Sequence, residues 1–317
     1  MSESVRYQKL ISAAQNLPRP RCAVAHPCDP GSLAAVIEAA RLGLFEPILT
    51  GPMARIRHVA EELQEDVSRY ECIDTPHSHA SAAAAVECVQ SGGASLLMKG
   101  SLHTDELMHA VLTHQGGLRT ERRISHVFIM DVPRYEELLF ITDAAVNIMP
   151  DLETKADIVQ NAIDLHTGLG LGVPRVAILS AVEQVTSKIP GTIEAAALCK
   201  MADRGQIVGG VLDGPLALDN AISPEAARVK GIDSKVAGRA QILVVPNLEA
   251  GNMLAKNLTF LGGASAAGIV LGARVPVILT SRADSLDTKL ASCAVAAMYA
   301  DYLARREIKP TQGLAHA

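Results

Sequence analysis

Between residues 21 and 100 the chain alternates short apolar runs with Ala-rich stretches of helical length, and few folds accommodate that rhythm. Residues 22–25, 47–50, 70–73 and 94–98 read as strands, and 31–42, 53–63 and 78–90 as the helices between them. A parallel strand pair needs a crossover of a dozen or more residues, which a helix supplies, so the pattern predicts a doubly wound sheet. Helix 104–112 and strands 124–130 and 137–142 follow. A second α/β unit opens near Asn147: Asp151 caps a helix to about 169, and residues 175–179 are a strand. Thr192 is expected to cap a helix ending at Gly205, strand 209–212 comes next, and Ser223-Pro224 starts another helix with proline at its first position. Strand 242–245, helix 249–261, strands 268–271 and 275–279 and a last helix over 284–305 complete the reading.

A length of 317 residues exceeds the roughly 250–300 at which a single core stops growing, so two domains are expected. We place them at 1–143 plus 283–317 and at 144–282, the last helix returning to the first domain. Aromatic residues are only 3% of the chain, with no Trp, which leaves few platforms for stacking bases and argues against nucleic acid as a partner. The net charge of −5 means that any anionic substrate must be drawn in by local Arg and Lys. The six cysteines lack CxxC spacing and sit in or beside apolar segments, as buried free thiols of a reducing cytoplasm do. No apolar leader core and no run of about 20 apolar residues is present, so no membrane association is expected.

Several motifs have bland readings that compete with chemical ones. Gly168, Gly170 and Gly172 precede a strand, the wrong order for a pyrophosphate loop, and read as a helix-to-strand turn. His26, Cys28 and Asp29, like His77 and His79, lack a third or fourth partner at a metal-binding spacing, and capping or surface roles suit them better. Lys99, before Gly100 and Ser101, ends a strand where a lysine can meet a phosphate, though a solvated loop lysine fits the spacing equally. Residues 117–123 are the densest basic cluster and would be a solvated face without other support. Ser281-Arg282 follows a strand directly, converging a hydroxyl, backbone N–H groups and a guanidinium on one place, which suits a phosphate or a tetrahedral oxyanion. Asp284 and Asp287 then read either as helix cap and third-position partner or, for Asp287, as a catalytic base.

Of residues 213–230 (DGPLALDNAISPEAARVK), 246–256 (PNLEAGNMLAK) and 280–282 (TSR), two share a design in which a strand stops at a polar turn that leads to a helix. Together with LMKG (97–100), GLRT (117–120), SHV (125–127) and LLFITDAAVNIMPDLETK (138–155), they resemble the phosphate acetyltransferase/phosphate butyryltransferase family, with wording nearer the butyryl branch. The resemblance implies an isocitrate-dehydrogenase-like fold of two three-layer α/β/α domains with the active site in the cleft between them. It also implies a homodimer, no metal or bound cofactor, and acyl transfer between coenzyme A and phosphate to give acyl phosphate. Carried over by position, Ser281 and Arg282 match the reacting centre, with Asp287 as the candidate base beside Thr288, which occupies the family's aspartate position. Arg119 and Thr120 are the candidates for gripping phosphate, since Ala110 stands where the acetyl branch has arginine; Lys99 and Asn252 match cleft-lining positions. Butyryl-CoA is the expected donor, Leu107, Met108 and Val111 being candidates for its alkyl slot. Acetyl transfer and a non-catalytic acyl-CoA sensor are the alternatives.

Overall fold

Eleven strands, among the residues that the computed structural model describes (4–113, 117–281 and 284–308), form one mixed sheet. Helix α1 (Val5–Gln15) leads into β1 (Arg21–Ala25), α2 (Pro30–Arg41), β2 (Glu46–Gly51), α3 (Met53–Glu62), β3 (Glu71–Asp74), α4 (Ser78–Gln90), β4 (Leu96–Lys99) and α5 (Thr104–Leu112). Two strands, β5 (Ser125–Asp131) and β6 (Leu139–Thr142), precede α6 (Leu152–Gly168), β7 (Arg175–Leu179), α7 (Pro190–Asp203) and β8 (Val211–Leu216). Short helices α8 (Leu218–Ile222) and α9 (Pro224–Val229) follow, then β9 (Ile242–Val244), α10 (Leu248–Phe260), β10 (Ser265–Leu271), β11 (Val277–Ile278) and α11 (Leu286–Ile308).

The sheet order is β3-β2-β1-β4-β11-β10-β5-β6-β9-β7-β8. The first five strands are parallel to one another, as are β6, β9, β7 and β8. Between the two sets β10 runs antiparallel to both β11 and β5, and β5 antiparallel to β6. The carboxyl ends of the two parallel sets therefore point to opposite edges.

One face of the sheet is covered without a break. Tyr7, Leu33, Val36, Ile158, Ala195 and Val295, from α1, α2, α6, α7 and α11, pack there in one apolar cluster that spans both halves. The other face carries two clusters: Ala85, Val86, Leu107 and Val111 of α4 and α5 over the first half, and Ala221, Ala227 and Ala255 of α8, α9 and α10 over the second. Strands buried on both faces need apolar side chains at every position, and Cys22, Ala23, Val24 and Ala25 of β1 have no exposure.

Several local readings need correction. Helix α1 has no counterpart in the expected elements, although Tyr7, Leu10, Ile11 and Ala14 carry helical spacing and Ser4 caps Tyr7. Thr192 is not a cap: α7 begins two residues earlier at Pro190, and the Thr192 hydroxyl donates back to Ile189 O at 2.8 Å. Nor does Asp284 cap the last helix. Ser285 does so, its Oγ accepting from the Thr288 N–H at 3.2 Å. Asp151 and Ser223 hold their expected capping places, accepting from Thr154 and Ala226. Asp29 and His77 likewise cap α2 and α4.

Candidate active site

The carboxyl ends of β1, β4 and β11 lie side by side, with Ala25 opposite Lys99 and Ile278 opposite Met98. Gly100 is required for that closeness: a Cβ there would stand 2.5 Å from both Ala25 O and His26 O. Lys99 is 7% exposed and its Nζ donates to the carbonyls of Gly100 and Leu102 at 3.2 Å. Beyond β11 the Ser281 N–H donates to Asp284 Oδ2 at 2.6 Å, and the Ser281 side chain is exposed. Lys289, 6% exposed, comes from the first turns of α11 and donates to Gly31 O at 3.4 Å. Burial pushes the Asp284 carboxyl above its ordinary range, while the Ser281 N–H and the charges of Lys289 and Lys99 pull the other way. A carboxyl in the field of two buried ammoniums, one at a strand end and one on a helix, can accept a proton, and the ammoniums give a phosphate a counter-charge.

Arg282 lies outside the described residues. Asp287 is exposed on the first turn of α11, whereas Thr288 turns inward and bonds to Ser285. Among the described residues, Asp284 bonds to Ser281, and the charges of Lys289 and Lys99 act on it. The expected reading lacked Lys289; a lysine on the first turn of a helix whose cap adjoins a strand end was the available signal.

Arg119 and Thr120 are elsewhere. From the Ile269–Ile278 pair, β11 runs on toward Ser281, while β10 runs the other way to Leu271 and on to Ala273, which bridges Arg119. The two sites therefore stand near opposite edges of the sheet, roughly 20 Å apart along the strands. Thr120 closes a turn, donating to Gly272 O at 2.7 Å and accepting from the Arg122 N–H at 3.1 Å. A cavity of about 220 Å³ adjoins it, lined in part by Arg122, Asn161, Asp164 and Tyr299. A larger one of about 530 Å³ lies beside α3 and β3 and touches none of the residues gathered around Ser281.

Asn252 sits on α10 in the second half and donates to Ala144 O at 3.4 Å. Gly251 lets that helix approach, since a Cβ there would be 3.0 Å from Asp143 O and Ala144 Cβ. The buried Asp143 carboxylate organises the turn, accepting from the N–H groups of Ala145, Val146 and Asn147 at 3.0–3.1 Å. Leu107, Met108 and Val111, expected to wall an alkyl slot, are instead buried at 0%, 8% and 0% exposure in the cluster under α5. Among the described residues no three His, Cys, Asp or Glu side chains converge as a metal site would require, and no helix is long and apolar enough to cross a membrane.

A mixed sheet whose two parallel sets end at opposite edges, with lysines and a carboxyl at one of them, defines an α/β protein built to handle an anionic substrate. Residues 77–297 match the phosphate acetyl/butaryl transferase family, and the chain belongs to that family and is a phosphate acyltransferase. It is 68% identical over 295 residues to a phosphate acetyltransferase of Rhizobium meliloti, covering 93% of each chain. With a phosphate butyryltransferase of Clostridium beijerinckii it shares 42% over 297 residues, 94% of this chain and 98% of that one. The fold superposes on a branched-chain phosphotransacylase from Enterococcus faecalis V583 with a TM-score of 0.78 at 31% identity, covering 89% and 99% of the two chains.

Proposed function

We propose that the chain interconverts acyl-CoA plus phosphate with acyl phosphate plus CoA, and that acetyl-CoA is its main donor. A phosphate oxygen attacks the thioester carbonyl carbon, a tetrahedral oxyanion forms, and the C–S bond breaks with its electron pair leaving on sulfur. In the return direction the CoA thiol gives its proton to a base and the thiolate attacks the acyl phosphate. No atom changes oxidation state and the thiolate leaves readily, so we assign the reaction no bound cofactor. Holding the two anions in line supplies up to about 7–11 kcal/mol of the barrier.

The observation that carries the assignment of roles is the placement of Asp284 against the Ser281 N–H, with Lys99 and Lys289 acting on the same carboxyl. Asp284 is the base, and the exposed Asp287 is the second reading. Lys99 and Lys289 hold phosphate, and Ser281 with Arg282, on the sequence resemblance, stabilises the oxyanion. Asn252, bonded to Ala144 O just past the carboxyl end of β6, lies toward the Arg119 edge, and we leave it as a candidate for the CoA end. Arg119 and Thr120 remain candidates for an anionic part of CoA at the opposite edge.

Acetyl is favoured over the butyryl donor expected from motif wording because the 68%-identical relative is a phosphate acetyltransferase and the proposed butyryl walls are buried in the core. Release of free thiol from acetyl-CoA and butyryl-CoA with phosphate tests both points. CoA binding without turnover would move the chain to the sensor class. We also take the protein to be cytoplasmic, which its free cysteines support, and homodimeric. The contact is assigned to α10, where Met253, Phe260 and, just beyond it, Leu261 are 65%, 80% and 82% exposed.

A further inference from the structure

Along β10 the discontinuous face of the sheet passes from one cluster to the other within a few residues. Val270 belongs to the cluster under α4 and α5, Ala266 packs against the one under α8–α10, and Gly268 stands between them on the same face. Its neighbours across the ladder are Phe128 on β5 and, beyond the end of β11, Leu279, whose carbonyl oxygen would lie 3.1 Å from a Gly268 Cβ. Phe128 and Leu279 are both half-buried, one leaning on each cluster. This row is the floor of the gap between the helix layers, and it is apolar. Leu279 follows β11 directly and Ser281 lies two residues further on, so the floor runs up to the reacting centre.

We propose that Phe128 and Leu279, set on either side of the buried Gly268, form the surface on which the substrate's acyl chain rests, and that they set its accepted length. The inference rests on the acyl-transfer reading and deepens it. The thioester carbon must sit beside Ser281, its phosphate and CoA partners are both charged, and the alkyl tail gains only by leaving water for apolar carbon. His126 shares this face with Phe128 and flanks the floor from the side, while residues of the covered face hold the strand from behind. The His126 ring lies edge-on to Phe128 at a centroid separation of 4.4 Å, and its Nε2 would be 3.0 Å from a Gly268 Cβ. From the covered face, Ser292 Oγ accepts from the Gly268 N–H at 3.0 Å and the Tyr7 hydroxyl from the Ala267 N–H at 2.9 Å. A methyl at Gly268 must therefore push the imidazole and narrow the space beside Phe128, and trimming Phe128 must widen it.

The test is kcat/KM for acetyl-, propionyl-, butyryl- and hexanoyl-CoA at fixed phosphate, with wild type, Phe128→Ala, Leu279→Ala and Gly268→Ala. Ratios between donors cancel any loss of folded enzyme. Phe128→Ala and Leu279→Ala should raise the hexanoyl-to-acetyl ratio by roughly tenfold each, and Gly268→Ala should lower it. Ratios unchanged within about twofold in both trimmed variants would overturn the floor while leaving acyl transfer standing. Should wild type release no thiol, acyl transfer fails and the floor is still read by calorimetric binding of the same acyl-CoAs. Affinity that varies with chain length in wild type and shifts toward longer chains in Phe128→Ala would uphold it, and identical profiles would overturn it.

Discussion

The Ser281 N–H donates to Asp284 Oδ2 at 2.6 Å, joining the end of β11 to the turn before α11. The bond favours the carboxylate, yet burial outweighs it and the group's pKa lies above its ordinary value. A carboxyl kept reluctant to ionise is a stronger base once it has done so.

Asp284→Asn should therefore lower kcat by about 10²–10⁴-fold and remove the acidic limb of the pH–rate profile, on which activity falls as pH drops through the raised pKa. The sign for stability is opposite. A folded pKa above the unfolded one means that the native state loses stability as pH rises through the window between them. The asparagine keeps an acceptor for Ser281 and escapes that loss, so its Tm at neutral pH should equal or exceed that of wild type. A drop in Tm with an unchanged pH profile would make Asp284 a structural group and favour Asp287.

How much of this was legible in the sequence depends on the range of the interaction. Asp151, Ser223, Asp29 and His77 cap helices a few residues away, and local chemistry announces them. Motif wording also named Ser281 and Lys99, which the fold brings to the ends of the neighbouring strands β11 and β4. The crossing of β10 between β11 and β5 is set by pairings between distant residues, such as Gly268 with Phe128, and no local pattern encodes it. That crossing decides which edge each strand end reaches, so GLRT could be identified as a family motif without showing that Arg119 stands at the opposite edge from Ser281. Thr192 misled because a threonine with helical residues after it reads as a cap, while Pro190 had already begun the helix.

His126 is buried beside Phe128 on the same face of β5, and desolvation lowers its pKa from 6.5 to about 4, with the Asp143 charge opposing. It is neutral in the fold and takes up a proton in the unfolded chain, so stability should fall as pH drops from about 6.5 toward 4, by on the order of 3 kcal/mol. Urea midpoints measured every half pH unit test this. His126→Asn should flatten the slope; an unaltered slope would assign it to His26 and His166, which burial also depresses.

The exposed side chains of α10 predict the assembly. Phe260 and Leu261 at 80% and 82% exposure are costly to leave in water on a helix end, and an isologous contact would cover both copies at once. Sedimentation of wild type at micromolar concentration should give twice the 33.4 kDa chain mass. Phe260→Asp with Leu261→Asp should give the monomer with its far-UV spectrum intact, and a wild-type monomer would sink the assignment.

Lys99 and Arg119 compete for the phosphate, and their positions separate the outcomes. Lys99 Nζ is tied to two carbonyls at 3.2 Å beside the candidate base, so its charge lies in the reacting region before any substrate arrives. Arg119 is at the other edge, bridged to Ala273. If phosphate is held at the Ser281 edge, Lys99→Met should raise the KM for phosphate by roughly 10- to 100-fold, as loss of a charged hydrogen bond worth about 1.5–3 kcal/mol implies. Arg119→Ala should then leave that KM alone and, if it acts at all, raise the KM for CoA. The reverse result, with phosphate affinity lost at Arg119 and kept at Lys99, would require the two edges to meet during turnover. It would also return the phosphate grip to the motif that first suggested it.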